Sequence, residues 1–106
     1  MSDVGRLLNE HVVGCAAAHQ RLLAALDALT DEQCRGTTQL PGWTRGHLLN
    51  HLARNADSHV HLLQCASRGE VGEQYPGGAV SRNAAIEEGA GRAAEQLVAD
   101  VRRSIY

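Results

Sequence analysis

Leu40-Pro41-Gly42-Trp43-Thr44-Arg45-Gly46-His47-Leu48-Leu49-Asn50-His51-Leu52-Ala53 decides the fold, because a turn, an aromatic anchor and a helix start follow one another in it. Proline fixes φ and glycine permits φ > 0, so Pro41-Gly42 predicts a tight turn. Trp43, the only tryptophan, stands just before Thr44, where an apolar residue pins the helix entry as a hydrophobic staple. Thr44 reads as the N-cap of a helix running to about Ser67. Leu49, Leu52, Ala56, Val60 and Leu63 make its apolar face, with Asn50, Arg54, Asp57 and His61 on the opposite side. His47, His51, Asn55 and His59 form a stripe at every fourth residue. Each such step turns about 40° around the axis, so the stripe climbs from the solvent side toward the core flank. His51 and Asn55 fall at that boundary.

Working outward, residues 4–29 are expected to form the clearest helix. Leu8, Val12, Cys15, His19, Leu22, Leu26 and Leu29 trace one seam along it, and His19 is the only polar member. Thr30-Asp31-Glu32-Gln33 has the form of a capping box that starts a short helical turn. After Ser67, Gly69 ends the long helix and residues 70–80 read as a loop. Ser81 caps a short helix through Glu88, and Gly89 and Gly91 interrupt it. Ala94, Leu97, Val101 and Ile105 then carry helical spacing to the terminus. Strand-like alternation is missing.

The chain has 106 residues, a formal net charge of −2 and a pI near 6.3. That balance argues against nucleic acid, which is met by a basic patch or a high pI. No apolar run approaches the roughly 20 residues of a membrane helix, and the N-terminus lacks the pattern of a signal peptide. A cytoplasmic protein is the expectation. Cys15, Cys34 and Cys65 are odd in number and widely spaced, which predicts free thiols rather than a disulfide framework. Cys15 lies in the first seam and is expected to be buried and inert; Cys34 is the expected exposed thiol. With 3% aromatic residues and no phenylalanine, the core must be built from Leu, Val and Ala.

Neutral imidazole is the commonest protein metal ligand, and residues four apart on a helix face each other. His47 and His51 can therefore grip one ion, or simply flank a solvated face. His19 reads as a core histidine held by one hydrogen bond, or as the lining of a cavity between helices. His11, His59 and His61 read as surface or flank residues, and Asp31-Glu32 and Glu87-Glu88 as solvated helix-end charges. No GxSxG elbow and no phosphate-binding glycine loop is present.

The run from Leu40 to His47, continued through His51-Leu52-Ala53-Arg54-Asn55-Ala56-Asp57, resembles the N-terminal domain of mycothiol-dependent maleylpyruvate isomerase, within the wider DinB-like metal-binding four-helix bundles. Tyr75-Pro76 and Ser81-Arg82-Asn83-Ala84-Ala85-Ile86-Glu87-Glu88-Gly89-Ala90-Gly91-Arg92 resemble that family's link into its third helix. The resemblance implies an all-α, DinB-like up-down bundle, here of three main helices with short connecting helices. It implies a divalent metal, zinc, with His51 as one ligand, and mycothiol as thiol cofactor, with His47 and Asn55 beside it. The metal would stabilise the thiolate, the nucleophilic form.

One departure stands out. The family's other two ligands, a Glu-x-x-x-His pair on a fourth helix, are absent after His51. The expectation is therefore a single domain over 1–106, incomplete, with an apolar groove where that helix belongs. Such a groove marks an interface or an aggregation hazard. The chain is then a fragment, a homodimer that covers the groove, or a repacked three-helix unit. The function implied is a metal-dependent, mycothiol-using isomerase or thiol transferase acting on a small electrophilic substrate. The alternative is a non-catalytic, self-associating helical interaction module.

Overall fold

The computed structural model describes residues 2–105. Five helices follow in order: α1 (Asp3–Leu26), α2 (Asp31–Cys34), α3 (Arg45–Ser67), α4 (Gly78–Ala90) and α5 (Ala94–Ile105). The architecture is all-helical, as expected. No strand occurs among the described residues, and the only bridge is an isolated pairing of Thr37 with Thr44. No helix among them is long and apolar enough to cross a membrane. The expected run of α5 to Tyr106 lies partly outside the described residues.

Local chemistry sets the helix starts. Thr30 Oγ1 accepts from Gln33 N while the Gln33 side chain accepts from Thr30 N, closing the capping box that starts α2. In the Pro41-Gly42 turn, Gly42 adopts φ +77° and Trp43 N donates to Leu40 O at 3.1 Å. That left-handed φ is one that an L side chain rarely tolerates. Thr44 caps α3 as expected. α4 starts earlier than Ser81 and runs past Glu88, because the paired glycines 77 and 78 turn the chain at positive φ just ahead of it. At α5, Asp31 Oδ1 accepts from Ala94 N at 2.7 Å, so Asp31 serves a second helix rather than solvent.

The core lies where α3 and α5 cross, with α2 and the end of α1 closing it. Leu23, Cys34, Leu49, Ala53, Ala94, Leu97 and Val101 are its buried members. These side chains are small, as the composition requires, and the helices approach closely. At Gly46 a Cβ would collide with the carbonyl oxygen of Ala90, and at Gly89 it would meet the Asn50 amide at 2.5 Å. α3 and α4 thus meet backbone to backbone at Gly46 and side chain to backbone at Gly89.

Three expectations are corrected. The first helix ends at Leu26, and its seam is buried only near that end: Val12 is 59% exposed and Cys15 is exposed. The two thiols trade places, since Cys34 is 1% exposed inside the core. Burial, then the Asp31 carboxylate, push the Cys34 thiol above its ordinary pKa, which leaves it unreactive. The face of α3 carrying Asn50, Arg54 and Asp57 is not its solvated side. It packs on α4 and α5, while Val60 and Leu63 are exposed.

That packing works because the partners are polar too. Asn50 Nδ2 donates to the carbonyls of Ala85 and Ile86, both at 2.9 Å, and its Oδ1 accepts from Arg54 and Arg92. All its hydrogen-bonding capacity is used, which removes the cost of burying an amide. Asp100 takes Arg54, Arg92 and Arg103 at 2.7–2.9 Å. Burial pushes the Asp100 carboxyl up, but the three guanidinium groups outweigh it and hold the pKa at about 2.

Candidate functional site

The turn and the first two turns of α3 bring Trp43, His47 and His51 together. The Trp43 indole stacks on His47, with centroids 6.3 Å apart and planes 15° apart, and tilts against His51 at 5.4 Å. The expected staple is therefore an aromatic one, closed on two imidazoles.

His47 has no free nitrogen. Its Nδ1 accepts from Thr44 N at 3.0 Å, while its own backbone N–H donates to Thr44 Oγ1 at 3.3 Å. A ring nitrogen that accepts a backbone N–H carries no proton, so in the neutral ring the proton sits on Nε2. Nε2 then donates to Glu87 Oε1 of α4 at 3.0 Å. His47 thus stands in the capping position that glutamate or glutamine fills in a standard box.

His51 differs. It is half-buried, and Arg82 Nη2 of α4 lies 3.4 Å from its Nδ1. A guanidinium only donates, so Nδ1 is the acceptor in this pair. Burial first, then the positive charge of Arg82, hold the ring's pKa below its ordinary value and keep the imidazole neutral. Arg82 also sits 5.7 Å over the Tyr75 ring as a cation–π pair.

Asn55, one turn beyond His51, donates from Nδ2 to the Tyr75 hydroxyl at 3.2 Å. Burial pushes the Tyr75 phenol up. The donors Asn55, Ser58 and Arg82 outweigh that and bring it below its ordinary value. His59, last in the stripe, is exposed and hydrogen-bonds the Asn55 carbonyl through Nδ1. A shallow recess of about 710 Å³ opens beside this group, lined by Glu73, Gln74, Tyr75, Gly77, Ala79 and Arg82 among others.

His51, Asn55, Tyr75 and Arg82 thus edge one half-buried patch between α3 and the start of α4. Arg82, Tyr75 and Glu87 lie in segments that carry the family resemblance, but their spacing gives no sign of a role at the site, and the α3–α4 packing brings them to the histidines. A neutral imidazole, a guanidinium and a phenol of lowered pKa suit an anion or an ionisable thiol. They do not suit a complete metal site: among the described residues no three His, Cys, Asp or Glu side chains converge. A separate apolar groove of about 530 Å³ lies between the end of α1 and α3, lined by Leu22, Leu26, Leu29, Leu48 and Leu52 with Arg45 at its edge. Its polar lining is Thr37, Thr38 and Gln39 beside Arg45, with no carboxylate, imidazole or thiol among the lining residues.

Comparison with known proteins gives a consistent answer. The sequence profile of the mycothiol maleylpyruvate isomerase N-terminal domain matches residues 15–106. The crystal structure of a mycothiol-dependent maleylpyruvate isomerase superposes with a TM-score of 0.84 at 26% identity, covering 92% of this chain and 40% of that one. A histidine-to-alanine mutant of such an enzyme matches with the same TM-score at 24% identity, which supports the fold alone. The chain therefore spans two-fifths of the length of the solved structures it matches. No curated protein sequence matches it.

Proposed function

The chain belongs to the mycothiol maleylpyruvate isomerase N-terminal domain family, and on that premise we propose that it is the thiol-binding helical part of an isomerase or thiol transferase acting on an anionic electrophile. Mycothiol is the proposed cofactor, and the cytoplasm the proposed compartment. The observation that carries this reading is the contact of the neutral His51 ring with Arg82 at 3.4 Å in a half-buried setting.

A guanidinium beside a thiol favours the thiolate, which is the nucleophile. The same group pairs with a carboxylate on the electrophile. A ligand that takes the Nδ1 lone pair of His51 displaces the Arg82 N–H and frees the guanidinium to face an incoming anion. Asn55 borders the same patch and offers the cofactor a hydrogen bond in exchange for Tyr75. His47, tied at both nitrogens, acts on the cofactor's side as a positioning residue that fixes the Trp43 indole.

His51 is also the proposed ligand for zinc. The described residues do not fit a whole zinc site, because catalytic zinc takes three protein ligands and no second donor of that kind joins His51.

Calorimetric titration with mycothiol tests the reading on the wild type, His51→Ala and Arg82→Gln. The wild type is expected to bind, and each variant to bind at least about tenfold more weakly, as loss of one charge-assisted contact implies. Equal affinity in all three proteins, or no binding to the wild type, overturns it.

A further inference from the structure

We infer that Tyr75 is a positioning residue for the His51 site: its ring holds Arg82 in place beside His51, and its hydroxyl fixes the Asn55 amide. Its purpose there rests on the function proposed above; its contacts do not.

Tyr75 stands in the connection between α3 and α4, yet its backbone is tied to both helices. Pro76 and Gly77 follow it, with Gly77 at φ 88° and ψ 0°, the pairing of a type II turn. Gly78, the first residue of α4, closes that turn by donating from its N–H to Tyr75 O at 2.8 Å. On the other side, Gln74 Nε2 donates to Ser58 Oγ of α3 at 3.3 Å. A loop residue is thereby placed by the two helices that carry the site.

Two contacts leave its side chain. Arg82 lies one turn into α4, and its guanidinium carbon is 5.7 Å from the centroid of the Tyr75 ring, within cation–π range. The Tyr75 hydroxyl accepts from Asn55 Nδ2 at 3.2 Å, which sets which way round that amide sits. Arg82 has two further partners. Its Nη1 donates to Asn83 Oδ1 at 2.9 Å in an exposed setting, and its Nη2 faces His51 Nδ1 at 3.4 Å. Asn83 is the next residue of α4, so that bond holds the guanidinium to its own helix and not to His51. The imidazole contact is long and therefore weak, whereas fixing an arginine rotamer is costly. The face of Tyr75 supplies the missing restraint. An anion that meets a guanidinium already in place binds more tightly than one that must first order it. Tyr75 acts on a ligand through Arg82 and Asn55.

The test compares the wild type with Tyr75→Phe, which keeps the ring, and Tyr75→Leu, which loses ring and hydroxyl together. Side-chain NMR of Arg82 reads its placement with no ligand present. The ring current should put the Arg82 Nε–H signal upfield of that of the exposed Arg21 in the wild type and in Tyr75→Phe, and the two signals should coincide in Tyr75→Leu. Mycothiol titration reads the consequence. Tyr75→Leu should bind about fivefold more weakly and Tyr75→Phe about twofold. In an Arg82→Gln background the loss from Tyr75→Leu should shrink to about twofold, because the ring then has no cation to hold. A tyrosine that only supports the fold would cost the same in both backgrounds. An Arg82 signal that matches Arg21 in the wild type overturns the inference, whether or not the variants fold. Full additivity of Tyr75→Leu and Arg82→Gln overturns it as well. A wild type with the upfield signal and no mycothiol binding supports Tyr75 as the residue that places Arg82, and refutes only the thiol reading of the site.

Discussion

The α3–α4–α5 junction and the outer half of α1 invert the usual rule about which residues are inside. At the junction, Asn50 is 0% exposed and Arg54, Arg92 and Asp100 are partly buried beside it. On α1, Val4 is 78% exposed and Leu8 and Val12 are mostly exposed. The difference is partnership. The buried polar groups named at the junction each have a hydrogen-bonding complement on α3, α4, α5 or the α4–α5 connection, so burial costs little. The apolar row of α1 has a facing helix only near its C-terminal end, where Leu22, Leu23 and Leu26 reach the core. The molecule is extended as a result. Its radius of gyration is 15.9 Å, against about 13 Å for a typical domain of this size.

Substitutions can break this contrast in graded steps. Leu97→Ala, at a fully buried position between α3 and α5, should cost most, about 2–5 kcal/mol in urea unfolding. Asn50→Ala leaves two carbonyls and two arginines short of a partner and should cost about 1–3 kcal/mol by the same measurement. Asp100 predicts a pH effect. Its folded pKa is depressed to about 2, below the about 3.9 of an unfolded aspartate. Its contribution is therefore complete above about pH 4 and is lost as pH falls through about 2. Unfolding curves collected across that window should show the loss in the wild type and a flatter profile in Asp100→Asn. Val12→Ala should change stability least, within about 0.5 kcal/mol, as an exposed site does. A loss as large as that of Leu97→Ala would show that α1 is covered in solution.

The helix starts were legible because their chemistry is local. Thr30 with Gln33, Pro41-Gly42 and Thr44 each act within four residues. Helix orientation was less legible. Asn50, Arg54 and Asp57 are polar, so periodicity assigned them to solvent, yet their partners Arg92, Asp100 and Arg103 lie some 40 residues on in the chain. Hydrophobic patterning has no means of registering a polar interface. The same limit misplaced Cys15, since a seam shows which side of a helix is apolar and not whether anything covers it, while Cys34 is buried by the packing of the short α2 into the core. At the candidate site, the sequence singled out His47, His51 and Asn55 but assigned no role to Arg82 and Tyr75. Glu87 was read as a solvated charge, and it accepts from His47 across the helix interface. Their roles come from α4 packing on α3, a tertiary fact with no local signature.

The account turns on His51 being a neutral, half-shielded ring that faces Arg82 and is reached by a thiol ligand. Nitrogen-15 NMR of the His51 imidazole, followed through pH and then with added mycothiol, tests this most directly. The ring should titrate below the about 6.5 of a free histidine, in the tautomer protonated at Nε2, and its nitrogens should shift when mycothiol is added. A ring that titrates at or above that value and does not respond to mycothiol would contradict the account.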